Sequence, residues 1–123
     1  MYRVLLIHAG TVPHYRVPIY GFLAERLKQD GFDLSVISDA IQPENPHPVA
    51  FPFRALRLST ASIVRHVRKE RIDIVIDYME LRHRYLFPCY LILRGVCRRK
   101  MVYWGQGLDL SDPRNRLKNV AYA

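Results

Sequence analysis

Hydrophobic residues in this chain fall in short unbroken blocks separated by amphipathic stretches. The first block, Val4-Leu5-Leu6-Ile7, shows no polar alternation, the pattern of a strand covered on both faces. It predicts a strand over residues 4–8 that ends where His8-Ala9-Gly10 turns the chain. Residues 17–30 then place Ile19, Leu23 and Leu27 four apart with Phe22 beside them, while Glu25, Arg26, Lys28 and Gln29 take the other side. The expected helix carries Pro18 in its first turn, where a missing N–H costs nothing, and stops at Gly31. Apolar blocks at 32–38, 53–58, 72–77 and 101–104 predict four further strands. Ser59 or Thr60 is placed to cap a helix over 61–71 with Ile63, Val64 and Val67 inward. Residues 86–94, closed by Gly95, predict another helix, whose regular part Pro88 delays. A last helix is expected from Asp112-Pro113 onward. Pro43, Pro46, Pro48 and Pro52 make residues 42–52 an extended loop.

Strand and helix alternate with short connections, which predicts an α/β, three-layer Rossmann-like domain with a mainly parallel sheet. At 123 residues the chain has room for one domain with a real core. It carries no apolar run of the ~18–20 residues that a membrane-spanning helix needs. The 4–7 block is too short for a secretory leader, so the expected location is cytoplasmic, with at most a peripheral membrane association. Cys89 and Cys97 would stand about 12 Å apart on a continuous helix, beyond disulfide reach. No CxxC or His-rich spacing accompanies them, so they read as packing residues and no metal is expected.

Charge changes this picture in one respect. The net charge is +8, and thirteen of the nineteen Lys and Arg follow residue 62, against six of the eleven acids. Arg65-His66-Val67-Arg68-Lys69 and Arg98-Arg99-Lys100 supply the excess. Such clusters are either a solvated face or a contact for an anionic partner, of which an anionic membrane surface is the expected one. Nucleic acid is not expected, because no helix-turn-helix, zinc-finger or RNP-type pattern occurs.

In an open parallel sheet, ligands bind beyond the carboxyl ends of the strands. Those ends are His8-Ala9-Gly10, Ser38-Asp39, Asp77-Tyr78 and Gly105-Gln106-Gly107. Neither GxGxxG nor GxxxxGK[ST] is present, which takes most of the weight from the dinucleotide and P-loop readings, and the GxSxG nucleophile elbow is missing too. Gly10 offers a close backbone approach beside the positive end of the following helix. His14, Tyr15 and Arg16 are candidates for an anion, and Asp77, Tyr78 and Glu80 for a carboxylate base or hydroxyl contact.

The segment HYRVPIYGFLAERLKQDGFDLSVIS, followed in order by IDIVIDY and KMVYWGQG, resembles the amino-terminal half of a GT-B glycosyltransferase of the family 4 (group 1) type. Its most specific pieces are Tyr15-Arg16-Val17-Pro18 and Val102-Tyr103-Trp104-Gly105-Gln106-Gly107; Gln106 stands where many relatives carry histidine. The resemblance implies a hexosyltransferase-type enzyme that moves a sugar from a nucleotide-diphosphate donor to a hydroxyl acceptor, glycan or lipid-linked, with retention. It implies that residues 1–123 are the acceptor-side domain and that the donor-binding domain is absent from this chain. Gly10, Gly105 and Gln106 would then approach donor phosphate or sugar, while His14, Tyr15, Arg16, Tyr78 and Glu80 would meet the acceptor. No catalytic residue is named, and the nucleotide sugar is a co-substrate, with no cofactor or metal expected. Two rivals from other classes are a stand-alone flavodoxin-like binding or regulatory module without catalysis, and a basic membrane-peripheral interaction domain.

Overall fold

The computed structural model describes residues 1–78 and 86–104. Five strands form one sheet: β1 (Tyr2–Val12), β2 (Phe32–Ile41), β3 (Phe53–Ala55), β4 (Ile74–Tyr78) and β5 (Lys100–Trp104). Their order is β3-β2-β1-β4-β5, and all four pairings are parallel. This is the Rossmann-like order, in which the chain winds outward from β1 in one direction and then crosses to wind in the other. A 3-10 turn (His14–Arg16) leads into helix α1 (Val17–Gln29), which covers one face. Helices α2 (Thr60–Lys69) and α3 (Phe87–Gly95) cover the other.

The central strand explains the layering. Leu5 and Ile7 point into the α2/α3 layer and Leu6 into the α1 layer, all three fully buried. Each such side chain contributes about 1.5–3 kcal/mol relative to exposure, so a strand without polar alternation becomes the centre of the sheet.

Several element ends differ from the sequence expectation. β1 does not stop at His8. His8 pairs with Ser38 and Thr11 with Ala40, so a bulge absorbs Gly10 at φ 86° and the strand runs on to Val12. β2 likewise continues to Ile41, whereas β3 ends at Ala55 because its edge pairing covers only Val36–Ser38 of β2. Ser59 is the cap of α2, in a reciprocal arrangement with Ser62. Ile63 and Val67 are buried as expected and Val64 is half-buried. The expected helix from Asp112 lies outside the described residues.

The face of α1 is the main correction. Val17 and Tyr20 are fully buried, with Leu23, Ala24 and Leu27 packed against the same cluster. Ile19 is 43% exposed and Phe22 74% exposed. Apolar spacing alone ranks Ile19 and Phe22 above a tyrosine, but the buried partner of the Tyr20 hydroxyl turns the helix the other way. Tyr20→Ala is therefore expected to cost about 3–5 kcal/mol in urea unfolding, and Phe22→Ala less than about 0.5 kcal/mol. Comparable losses at the two positions would contradict this orientation.

Candidate functional site

The winding direction reverses between β1 and β4, which places the ligand crevice of such a sheet beyond the carboxyl ends of those strands. At this end the 3-10 turn after β1 approaches the last residue of β5. The Arg16 guanidinium lies 5.2 Å from the centroid of the Trp104 ring and 5.8 Å from that of Tyr15. Both distances are within cation–π range. Trp104 meets Tyr20 edge-on at 5.9 Å, and the Tyr20 hydroxyl lies 2.6 Å from His8 Nδ1. His8 and Tyr20 are both buried, so a hydrogen-bonded pair of rings lies behind an exposed rim of His14 and Tyr15.

The rim is held from β2. Gln42 Oε1 accepts from the His14 backbone N–H and from its ring Nδ1, both at 2.9 Å. In the neutral ring this leaves Nε2 as an acceptor. Asp39, opposite the bulge within β2, accepts from the Gly10 N–H at 3.0 Å through one oxygen and from the Leu58 N–H at 3.2 Å through the other. The Gly10 amide is thus engaged by a carboxylate.

Of the sequence candidates, His14, Tyr15 and Arg16 stand together on the rim. Tyr78 ends β4, its backbone in register with His8 and Trp104. Glu80, Gly105 and Gln106 lie outside the described residues. The sequence reading named Trp104 within a resemblance segment and Asp39 at a strand end, but gave neither of them, nor Gln42, a role in the site. A lone tryptophan at a strand end was the available signal for the first. The other two act across β2, which no local spacing announces.

Asp77 is fully buried beneath α3, and neither carboxylate oxygen has a hydrogen-bond partner among the described residues. Burial pushes its pKa up to about 7, while the nearby Tyr90 hydroxyl, without the geometry of a full hydrogen bond, acts in the opposite sense. Cys89, in the first turn of the same helix, is a buried thiol whose pKa is pushed up to about 12, first by burial and then by the charge of Asp77. It is inert at neutral pH, in keeping with a packing role. No group of three or more His, Cys, Asp or Glu suited to a metal ion occurs among the described residues. No helix among them is long and apolar enough to cross a membrane.

No protein-family model matches the chain, and no curated protein matches its sequence. Solved structures do match. CobK precorrin-6A reductase superposes with a TM-score of 0.64 at 15% identity, over 92% of this chain and 42% of that one. MurG from Acinetobacter baumannii, a GT-B glycosyltransferase, superposes with a TM-score of 0.58 at 15% identity, over 98% of this chain and 39% of that one. The likeness is one of fold, a Rossmann-like α/β domain, and the chain spans about two fifths of the length of each.

The buried carboxyl makes stability depend on pH. A folded pKa of about 7 against an ordinary 3.8 means that the folded chain holds the Asp77 proton more tightly than the unfolded one. The contribution is complete below about pH 4 and is lost as pH rises to about 7, a cost of about 4 kcal/mol. His66 acts with the opposite sign: burial lowers its pKa, so it costs stability as pH falls below 6.5. That second effect is common to wild type and Asp77→Asn and cancels in their difference. Asp77→Asn should match wild type at pH 4 and unfold at a higher temperature at pH 8. Parallel melting curves across this range would show that Asp77 does not titrate as a buried acid.

Proposed function

We propose that this domain is the acceptor-facing half of a GT-B glycosyltransferase of the family 4 type, moving a hexose from a nucleotide-diphosphate sugar to a hydroxyl acceptor with retention. One observation carries the proposal. The two segments that bear the resemblance, around Arg16 and around Trp104, are 88 positions apart in the chain and meet at 5.2 Å at the carboxyl edge of the sheet. The fold likeness to MurG agrees with it.

The described rim suits an acceptor better than a diphosphate. The Gly10 N–H, the backbone donor nearest the switch point in sequence, is committed to Asp39. What remains is side-chain chemistry: aromatic rings for the apolar faces of a sugar, the His14 ring for a hydroxyl, and the Arg16 guanidinium for a phosphate on a glycosyl phosphate or lipid-linked glycan. Gly105 and Gln106 face the donor in this proposal, Gly10 faces its sugar rather than its phosphates, and Tyr78 and Glu80 join the acceptor contacts. Stabilisation of the leaving diphosphate falls to the opposite half.

Trp104 is the single tryptophan, so its fluorescence reports on this edge alone. Titration with a hexose 1-phosphate, an octyl hexoside and a nucleotide-diphosphate hexose should change that signal, with the phosphorylated sugars binding more tightly than the octyl hexoside. Arg16→Ala should weaken the phosphorylated sugars about tenfold and leave the octyl hexoside within twofold. Binding of all three unaltered by Arg16→Ala would remove the rim from the site.

We place the outer face of α2 and α3 on an anionic leaflet. Arg65, Arg68 and Lys69 are exposed there, and a cavity of about 680 Å³ between the helices adds Val64 and Ile92 to them. Leu91 and Val96 are exposed nearby in sequence on α3 and its cap. Each basic group near an anionic surface contributes about 1 kcal/mol, within a Debye length of about 8 Å at physiological salt. Co-sedimentation with phosphatidylserine vesicles should exceed that with phosphatidylcholine at low salt and fall steeply at 0.5 M salt. Arg65→Gln/Arg68→Gln/Lys69→Gln should abolish the excess, and equal sedimentation with both lipids would refute the assignment.

A further inference from the structure

All five strands are parallel, so the opposite end of the sheet gathers strand beginnings, and there the chain carries a cationic cavity that the proposed transferase does not use. It has a volume of about 450 Å³, within the ~300–1,000 Å³ of small-molecule sites. Tyr2 opens β1 and Phe32 opens β2, and their rings stack at 5.9 Å with 29° between planes. Tyr2 is 62% exposed, so an aromatic surface remains open beside the cavity. Arg98 and Arg99 enter from the turn before β5 and Lys100 from its first position.

The charges do not cancel. Asp73 is the acid of the lining, and its Oδ2 already accepts from the Arg3 N–H at 2.9 Å. Arg99 donates from one terminal nitrogen to the Cys97 carbonyl at 3.2 Å, yet its buried Nε–H has no hydrogen-bond partner among the described residues. A buried guanidinium nitrogen left unpaired is costly, so the Arg99 side chain gains by turning toward an acceptor oxygen that enters the cavity. Arg98 adopts φ 53°, a left-handed conformation that a β-carbon disfavours. An aromatic plane next to three cations matches a ligand with a flat ring at one end and a phosphate at the other.

We propose that this cavity binds a nucleoside phosphate, the base lying on Tyr2 and the phosphate among Arg98, Arg99 and Lys100. The site is at the end of the sheet away from Arg16 and Trp104, so it stands or falls independently of the acceptor rim. Base stacking supplies one part of the affinity and charge the other, so neither fragment alone should match the whole.

Adenosine monophosphate, adenosine and ribose 5-phosphate, titrated separately and followed by two-dimensional NMR, distinguish these contributions. The monophosphate should bind at least tenfold more tightly than either fragment, moving the amide signals of residues 98–100 and the ring signals of Tyr2 while the Trp104 indole stays in place. Arg98→Asn/Lys100→Gln removes two exposed charges, and asparagine tolerates the left-handed backbone; it should weaken the monophosphate at least tenfold with an unchanged circular dichroism spectrum. Equal affinity for ribose 5-phosphate and the nucleotide, shifts confined to Trp104 and its neighbours, or an unaffected double variant would each overturn the proposal.

Discussion

The hydroxyl of one buried tyrosine sets the geometry of the carboxyl edge. Tyr20 is fully buried, and a phenol taken from water without a partner costs about 1–3 kcal/mol. His8 Nδ1, 2.6 Å away on the central strand, supplies that partner, whichever of the two atoms carries the proton. The bond fixes the rotation of α1, which brings Val17 inward and leaves Ile19 and Phe22 outside. It also holds the Tyr20 ring against Phe51 at 6.1 Å and Trp104 at 5.9 Å. Arg16, at the N-cap of the same helix, then lies over the tryptophan. Sheet centre, helix rotation and rim are thus coupled through a single side chain.

This coupling separates what was legible in the chain from what was not. The runs at Val4–Ile7 and Ile74–Ile76 announce buried parallel strands because burial on both faces leaves no polar position to misread. Ser59, Pro18 and Gly31 act locally and fall where cap and stop chemistry puts them. The lost information is non-local. Gly10 looks like the end of a strand until the parallel partner shows one residue of β2, Asp39, opposite two of β1, Ala9 and Gly10, which makes it a bulge. Tyr20 looks like a weaker core residue than Ile19 until His8 is known to lie behind it. His14, Tyr15 and Arg16 could be proposed from their own loop, whereas Trp104 joins them only through the sheet order.

The same bulge governs what the edge can hold. In a nucleotide-binding turn, free backbone amides at a helix start receive phosphate. Here a negative side chain already occupies the Gly10 amide, and its second oxygen anchors the start of the segment leading to α2. A phosphate at that point would meet the Asp39 carboxylate. The connection from β1 to α1 is accordingly tied to β2 and to the chain beyond β3, and it gains rigidity in place of an anion cradle.

Charge is distributed in the same sense. Among the described residues, Arg65, Arg68 and Lys69 lie on α2, and Arg98, Arg99 and Lys100 gather where β5 begins. The carboxyl edge has the Arg16 guanidinium set between two aromatic rings, within reach of Trp104 and Tyr15. A guanidinium held against ring faces has lost much of its orientational freedom, so it selects ligands by geometry as well as by attraction. Aromatic surface is suited to the C–H faces of a sugar, and one ordered cation is suited to a single phosphate rather than a polyanion. The described edge, rings beside one guanidinium, therefore differs in kind from the α2 face and the start of β5, where cations stand in groups.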